Sequence, residues 1–596
     1  MRQRLCLLAI ALGLVLRVLS AHWHEHPRGD VLLDVGVARS LEQGAGFHSG
    51  FERGTALMQG DGPVPPQDVA DQHPPLWPLI GAALGALAGS AFAGLQLGSL
   101  LAGALLLLLV WRQADRLVEG CVGARDGLPA LACALLALGF VMIDASGNGS
   151  LYIVQACGVV ALVGAAGAAR PSALRLGLLL GALWLLNYQA LVLLPVPLLV
   201  LLLAARPGER RAALLTGLLA IAVTALVQVP WWWRNQIVFG HPFYNVNGFY
   251  PLYSSGVQPA LAIEAGLPVA RMPEASLLVA LVRGLSLWVP ANVLYLVSTS
   301  LMLWPGFVGL LAAGALPLLA RALRDRDRRL LACFLCSAAL AGVALLWPDM
   351  KLRYCVALTP LVILMGVRLI AVPPTPGERR LALLAVLLWI SVLVALRGDI
   401  TGSRAAPRPD RWRLLLYGGA AFLVLPLLMR HTRIAGRRLR LLLGTGAAAV
   451  PVLAAVALWP WPHTTYHSSV LTPDLFGKAK EQADERRAVT AALARRAAQD
   501  DGPRAVVGGM ELLQYDAPAF VFAPFGSGSA AGDAALAALL AAGRADHVLV
   551  YSGEGWPEGL VAGDTWLGGR LVVMAAWSSE ELEPTRAAAA LSRVPP

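Results

Sequence analysis

Apolar runs long enough to cross a bilayer recur from Leu5 to about Pro460, and no single soluble core can bury that many. Of the 596 residues, 57% are apolar and 14% charged, against about 25% charged in an ordinary soluble domain. The mean hydropathy of +0.63 agrees. The net charge of +11 falls mostly in short loops between the apolar runs, where arginine orients membrane helices, and gives no nucleic-acid signal. The pattern predicts an all-α polytopic membrane protein followed by a small α/β soluble domain.

Arg2 and Arg4 precede an apolar run from Leu5 to Leu19. Its length is borderline for a signal peptide, but Arg17 within it and the lack of a small-residue cleavage site predict a retained first helix. With those arginines inside, the polar stretch of about 20–75 lies outside and is too long for a turn. From Leu76 to Trp111 the chain is apolar for too long to be one helix. A half-inserted segment to Gly89 and an inward span to Trp111 satisfy it, followed by cytoplasmic Arg112, Arg116 and Arg125. Further spans fit near 127–144, 151–168, 174–187, 190–204 and 212–229. The last ends in Pro230-Trp231-Trp232-Trp233-Arg234-Asn235, an interfacial aromatic belt, and opens a second exterior segment of roughly 230–290. Spans near 292–320, 330–347, 355–372, 381–397, 412–429 and 440–459 follow, with Arg321, Arg324, Arg326, Arg328 and Arg329 as the strongest cytoplasmic marker.

The alternation gives about thirteen crossings and an exterior tail. The loop 398–411, with Arg404, Arg408 and Arg411, opposes this count, and a miscount by one puts the tail in the cytoplasm. Gly81, Gly85 and Gly89 repeat at the four-residue spacing that lets helices pack closely. Residues 1–460 thus form the membrane domain and 461–596 a domain of about 130 residues, within the usual range. In the latter, helices are expected over 479–498 and 533–542 and strands over 505–507, 520–522, 547–551 and 571–574. It contains no P-loop, zinc spacing or nucleophile elbow. Cys6, Cys133, Cys157, Cys333, Cys336 and Cys355 lie in or beside apolar runs, which excludes a disulfide-stapled scaffold. Cys333 and Cys336 have the spacing of a redox motif but sit inside a hydrophobic helix with no second pair.

Ionisable groups concentrate in the first exterior loop: His22, His24, His26, Asp30, Asp34, Asp61, Asp68, Asp71 and His73. A solvated loop, a metal site and an acid/base site at the membrane surface are all compatible with that list. Four stretches are more specific. Asp30 stands eight residues before an Ala38-Arg39-Ser40-Leu41-Glu42-Gln43-Gly44-Ala45-Gly46-Phe47 helix end, and Asp71-Gln72-His73-Pro74-Pro75-Leu76-Trp77-Pro78 follows. Pro230 to Asn235 leads into Phe239-Gly240-His241-Pro242, and Arg353-Tyr354 precedes Pro360 by six residues. In this order the four resemble the type C glycosyltransferase superfamily over roughly residues 1–460. They are most similar to the branch that includes protein O-mannosyltransferases and the lipid A aminoarabinose transferase.

That resemblance implies a sugar donor carried on a polyprenyl phosphate and an envelope lipid, glycan or protein acceptor. It also implies a multi-pass protein of the bacterial inner membrane whose C-terminal domain is extracytoplasmic. By position Asp30 corresponds to the family's catalytic aspartate, and Asp34 stands where an aromatic residue is usual, as a helper or a solvated group. A second acid is usual near the outer end of the third span, where Ser150 replaces the expected glutamate and Asp144 is the candidate substitute. Chemically, the phosphate is already a leaving group, so the enzyme needs a base for the incoming hydroxyl and cations for the departing charge. Arginine offers a planar fork that stays charged. Arg353 is the first candidate for the phosphate, with Lys351 and Tyr354 beside it and Arg234 as a second; each arginine can equally anchor a helix end. Asp71 and His73 are substrate-binding candidates, although His73 can also fix the turn before the next segment. A divalent metal is compatible with converging carboxylates, but no ligand spacing demands one. Two rival readings remain: a transporter or lipid-glycan flippase, and a catalytically inactive relative.

Overall fold

The computed structural model describes residues 2–24, 27, 30–48, 73–119, 121, 127–240, 242–243, 289, 305–346 and 352–372, together with the backbone of five strands between 505 and 576. The chain divides into two compact units. One comprises Met1–His24, Gly98–Pro230 and Gly284–Ser468, the other Glu25–Leu97, Trp231–Arg283 and Ser469–Pro596.

The first helix, α1, spans Arg2–Trp23. Within the first polar stretch lies α2 (Asp30–Glu42). The long apolar stretch splits as its length required, into α3 (Leu76–Ala88) and α4 (Ala91–Leu117). The glycine repeat serves two purposes. Cβ atoms added at Gly81 or Gly85 would overlap neighbouring side chains, and one at Gly94 would overlap the backbones of Gly81 and Gly85. Gly89 instead takes φ +87° and caps α3, its N–H donating to the Gly85 carbonyl at 2.8 Å. This left-handed cap is a position that favours glycine for conformational reasons.

The span expected near 127–144 is broken. It consists of α5 (Leu128–Leu138) and α6 (Phe140–Gly147), bent by 62°. Gly139, between them, is extended at φ −63° and ψ 115°, which interrupts the helical ladder and leaves carbonyls to be satisfied elsewhere. Next come α7 (Leu151–Ala166), α8 (Ala173–Leu186), a 3-10 turn over Tyr188–Leu193 and α9 (Val196–Ala204). Ser150 and Ser172 cap α7 and α8, accepting from the backbone N–H groups of Tyr152 and Arg175.

Helix α10 (Arg210–Phe239) corrects the expectation that the run ends at the aromatic belt, because it continues through Pro230 for nine further residues. Proline in a helix interior costs about 3 kcal/mol. Side-chain contacts beyond it oppose that cost: Trp231 is buried and packs edge-on against Phe47 at 5.5 Å, and Asn235 donates to the Pro242 carbonyl at 3.4 Å. Lower on α10, Thr224 and Gln228 donate to the carbonyls of Gly177 and Gly181 on α8 at 3.2 and 2.9 Å. Then follow α11 (Pro305–Asp325), α12 (Arg328–Leu346), a 3-10 turn over Leu352–Cys355 and α13 (Leu358–Ala371). Cys333 and Cys336 are buried in α12. The spans expected at 381–397, 412–429 and 440–459 lie outside the described residues.

Among the described residues three helices have the length and hydropathy of bilayer spans: Ala91–Leu117, Pro207–Val238, which starts in a short 3-10 turn, and Arg328–Leu346. The bent α5–α6 pair makes a fourth if its two arms count as one span. Leu12, Val15 and Val18 on α1, Leu105 and Leu108 on α4, and Leu215 and Leu226 on α10 are exposed, as lipid-facing positions are.

Toward the C-terminus, β1 (Ala505–Val507), β2 (Val521–Ala523), β3 (His547–Val550), β4 (Thr565–Trp566) and β5 (Leu571–Ala576) form one sheet in the order β2-β1-β3-β5-β4. Pairing is parallel except for β4 on β5, with Val506 opposite both Phe522 and His547. Four strands fall within two residues of their expected bounds, and β4 was not expected. The helices expected at 479–498 and 533–542 lie outside the described residues.

The glycine packing makes a test. Gly94→Ala should lower the thermal stability of the detergent-solubilised protein by about 1–3 kcal/mol, because the added methyl meets backbone that cannot swing away. Gly342→Ala on α12, where nothing lies within 4 Å of the new atom, should leave stability unchanged or raise it by up to about 1 kcal/mol. Equal melting shifts for the two would contradict the packing described.

Candidate active site

In the first unit the site begins at the end of α1. His24 Nε2 lies 2.9 Å from Asp144 Oδ1, with side chains 7% and 2% exposed. Taking a carboxylate out of water costs several kcal/mol unless partners replace the water. Here the second oxygen, Oδ2, accepts from Asn148 Nδ2 at 3.2 Å. Asn148 sits where α6 ends; its own Oδ1 accepts from the Ser150 N–H at 2.9 Å, and Gly149 between them takes φ +79°. The sequence Asp-Ala-Ser-Gly-Asn-Gly-Ser is therefore the last turn of α6 followed by a tight bend at Asn148 and Gly149, which fixes the carboxylate and starts α7 on the Ser150 cap. Ser150, at the place where a glutamate was expected, is a helix cap, and Asp144 is the carboxylate of this segment.

The turn leads to a second group of candidate residues in the unit. Tyr152, in the first turn of α7, meets the Tyr354 ring edge-on at 5.8 Å, and the Arg353 guanidinium lies 5.4 Å from the Tyr354 ring centroid. Arg353 and Tyr354 belong to the 3-10 turn that precedes α13. A continuous series of contacts thus joins His24, Asp144, Asn148, Ser150, Tyr152, Tyr354 and Arg353, drawn from four elements.

The second unit repeats the same two ingredients. His73 Nδ1 lies 2.8 Å from Asp34 Oδ1, the carboxylate being 1% and the imidazole 15% exposed. This fastens α2 to the start of α3, where Pro74 and Pro75 are buried and Trp77 is 1% exposed. Asp34 is therefore a buried, paired carboxylate, which removes the solvated reading. The Gly-Ala-Gly-Phe end of α2 has a physical reason: Gly44 and Gly46 take φ +74° and +94°, and the chain turns so that Phe47 reaches Trp231. Arg234 lies over the Trp231 ring at 4.5 Å and donates to Asn235 Oδ1 at 2.9 Å. Partial desolvation raises the Glu42 carboxyl above its usual range, and Arg39 acts in the opposite direction.

Asp30 is the first residue of α2, one turn before Asp34 along the backbone. The Asp30 side chain, Asp71 and Lys351 lie outside the described residues. Asp144 and Arg353 are linked within one unit, and Asp34, His73 and Arg234 lie in the other. Sequence reasoning did not single out His24: three histidines occupy positions 22, 24 and 26, and nothing in the residue pattern distinguishes the one that meets Asp144. Among the described residues no three His, Cys, Asp or Glu side chains are grouped to hold a metal. Each pair offers one nitrogen and one carboxylate, short of the donor set a divalent ion takes.

No family profile matches the chain, and no curated protein matches it. Among solved structures it is similar to ArnT from Cupriavidus metallidurans bound to undecaprenyl phosphate, at 16% identity and a TM-score of 0.46, over 92% of this chain and 90% of that one. It is also similar to the archaeal oligosaccharyltransferase AglB from Archaeoglobus fulgidus in complex with an inhibitory peptide and a dolichol-phosphate. There the identity is 15% and the TM-score 0.44, over 86% of this chain and 63% of that one.

The buried pair is testable by a double-mutant cycle on His24→Leu and Asp144→Leu. Removing either partner leaves a buried polar group short of a bond, at about 1–3 kcal/mol each. The double variant should therefore be less destabilised than the sum by about 1 kcal/mol or more in thermal unfolding. Strict additivity would show that the two side chains do not depend on each other.

Proposed function

We propose that the chain is an integral membrane glycosyltransferase that moves a sugar from a polyprenyl-phosphate carrier to a hydroxyl of an envelope lipid, glycan or protein. The observation that carries this reading is the series from Asp144 to Arg353. That series runs from a paired carboxylate to an arginine through side-chain contacts and the Ser150 and Tyr152 backbone N–H groups, among apolar helices, and supports a base and an anion-binding group acting together. The order of the four motifs supports the same chemistry.

In the reaction the acceptor oxygen bonds to the anomeric carbon as the bond from that carbon to the phosphate oxygen breaks. The polyprenyl phosphate leaves with the electron pair, and a carboxylate takes the hydroxyl proton. Attack opposite the phosphate inverts the anomeric centre. Asp30 is the proposed base, with Asp34 and Asp144 as the other carboxylates of the machinery. Arg353, with Tyr354 and Lys351 beside it, is the first candidate for the phosphate and Arg234 the second, while Asp71 and His73 are the candidates for contact with the substrate. The active face lies on the outer side of the bacterial inner membrane, together with the C-terminal domain, which helps dock the acceptor.

Membranes containing wild type or Asp30→Asn, supplied with a panel of labelled polyprenyl-phosphate sugars, test the reading by label transferred to endogenous acceptors. Wild type should transfer from one donor, and Asp30→Asn should be slower by about 10²–10⁴, the usual worth of a positioned base. Equal transfer by both would remove Asp30 from the role, and no transfer by folded wild type from any donor would remove the function. Arg353→Ala should raise the donor KM about tenfold or more, since a charge-assisted bond to phosphate is lost; an unchanged KM would release Arg353 from phosphate binding.

A further inference from the structure

Arg17 lies two helical turns before His24 on α1 and is 1% exposed, in the middle of an apolar helix. Its guanidinium reaches both arms of the broken pair. Nη1 donates to the Ala137 carbonyl at 2.6 Å and to the Gly13 carbonyl at 2.9 Å, and Nη2 to the Leu136 carbonyl at 3.0 Å. Leu136 and Ala137 belong to the last turn of α5, whose carbonyls lost their helical partners when the backbone turned out at Gly139. Nε donates to Ser146 Oγ at 3.2 Å, and that hydroxyl in turn donates to the Met142 carbonyl at 2.5 Å, both on α6. All four acceptors are neutral, and the C-terminal carbonyls of α5 carry the negative end of a helix dipole, which suits a cation.

Two close approaches hold α1 against the same pair. A Cβ at Gly13 would overlap Ala137, and one at Gly147 would overlap Ser20 and Ala21. Along α1, then, Gly13, Arg17, Ser20 and His24 meet the α5–α6 pair in succession, and the last of these contacts is the Asp144 pair. We infer that Arg17 is a positioning residue that sets the angle between α5 and α6 and so holds Asp144 against His24. A lysine keeps the charge but lacks the planar fork that addresses both arms at once. The catalytic half of this inference rests on the reading of Asp144 as part of the transfer machinery; the structural half does not.

The full-length protein in nanodiscs provides the test, with Arg17→Met and Arg17→Lys compared with wild type by hydrogen exchange and by donor kinetics. Amides of residues 140–147 should exchange about tenfold faster or more in Arg17→Met, while those of 151–186 stay as in wild type. Arg17→Lys should keep folded yield and fall between the two, so the test survives if Arg17→Met does not fold. In both variants kcat should drop, by about tenfold in the more affected one, with donor KM within about twofold of wild type. Unchanged exchange over 140–147 would overturn the inference whatever the kinetics. Faster exchange with unchanged kcat would overturn the catalytic half of the inference and leave Arg17 as the residue that sets the bend. If wild type itself transfers no sugar, the proposed function fails, and exchange alone then decides whether Arg17 sets the bend.

Discussion

Among apolar helices a backbone carbonyl without a partner is expensive, because no water is at hand to take its place. This protein meets that constraint repeatedly with arginine. Arg17 takes the last carbonyls of α5, Arg328 donates to the carbonyls of Ala168 and Ala169 just beyond α7, and Arg368 donates to the Leu117 carbonyl at the end of α4 at 2.8 Å. For Arg17 and Arg368 the cation sits at the negative end of a helix dipole, so hydrogen bonding and electrostatics favour the same placement, while Arg328 satisfies carbonyls of the loop that follows α7. The charges that mark loops as cytoplasmic in the residue pattern thus include side chains that also finish helices. Arg17 differs in lying mid-helix, where its charge is tolerated because a broken helix supplies the acceptors.

The break that Arg17 accommodates is what gives Asp144 its surroundings. A straight helix over 127–144 would carry Asp144 in its last turn with no second helix to close behind it. The extended Gly139 redirects eight residues into α6, and the Asn148, Gly149 and Ser150 turn returns the chain into α7. The carboxylate then receives an imidazole from α1 and an amide from its own turn. In the second unit Asp34 reaches the same state differently, within a regular helix and with its imidazole from a proline-rigid segment. Two independent local solutions lead to one arrangement, a buried carboxylate held by histidine.

Much of the helical layout was legible because hydropathy and loop arginines are direct physical consequences of the bilayer, and α3, α4, α7, α12 and α13 fall close to where they were expected. The departures fall where tertiary contact overrides local preference. Pro230 reads as a helix stop, yet Trp231 and Asn235 find partners that keep the helix going. Gly139 reads as one more small residue in an apolar run, and only the acceptor needs of α5 and the position of Arg17 reveal it as a break. The motif residues His73, Arg234 and Arg353 stood out in the residue pattern because each stands beside proline or aromatic residues, and each takes part in a contact of the fold. The partnership of His24 with Asp144 was not, since 120 residues separate them and neither neighbourhood is distinctive.

Both candidate phosphate-binding arginines lie against an aromatic ring, Arg234 over Trp231 and Arg353 near Tyr354. This placement has a chemical consequence that bare proximity to a carboxylate would not have. A cation held by a ring face is stabilised without being neutralised. Such support takes up none of the directional bonds by which a guanidinium grips a phosphate. In each unit the acid is paired with histidine and the arginine is supported by an aromatic ring.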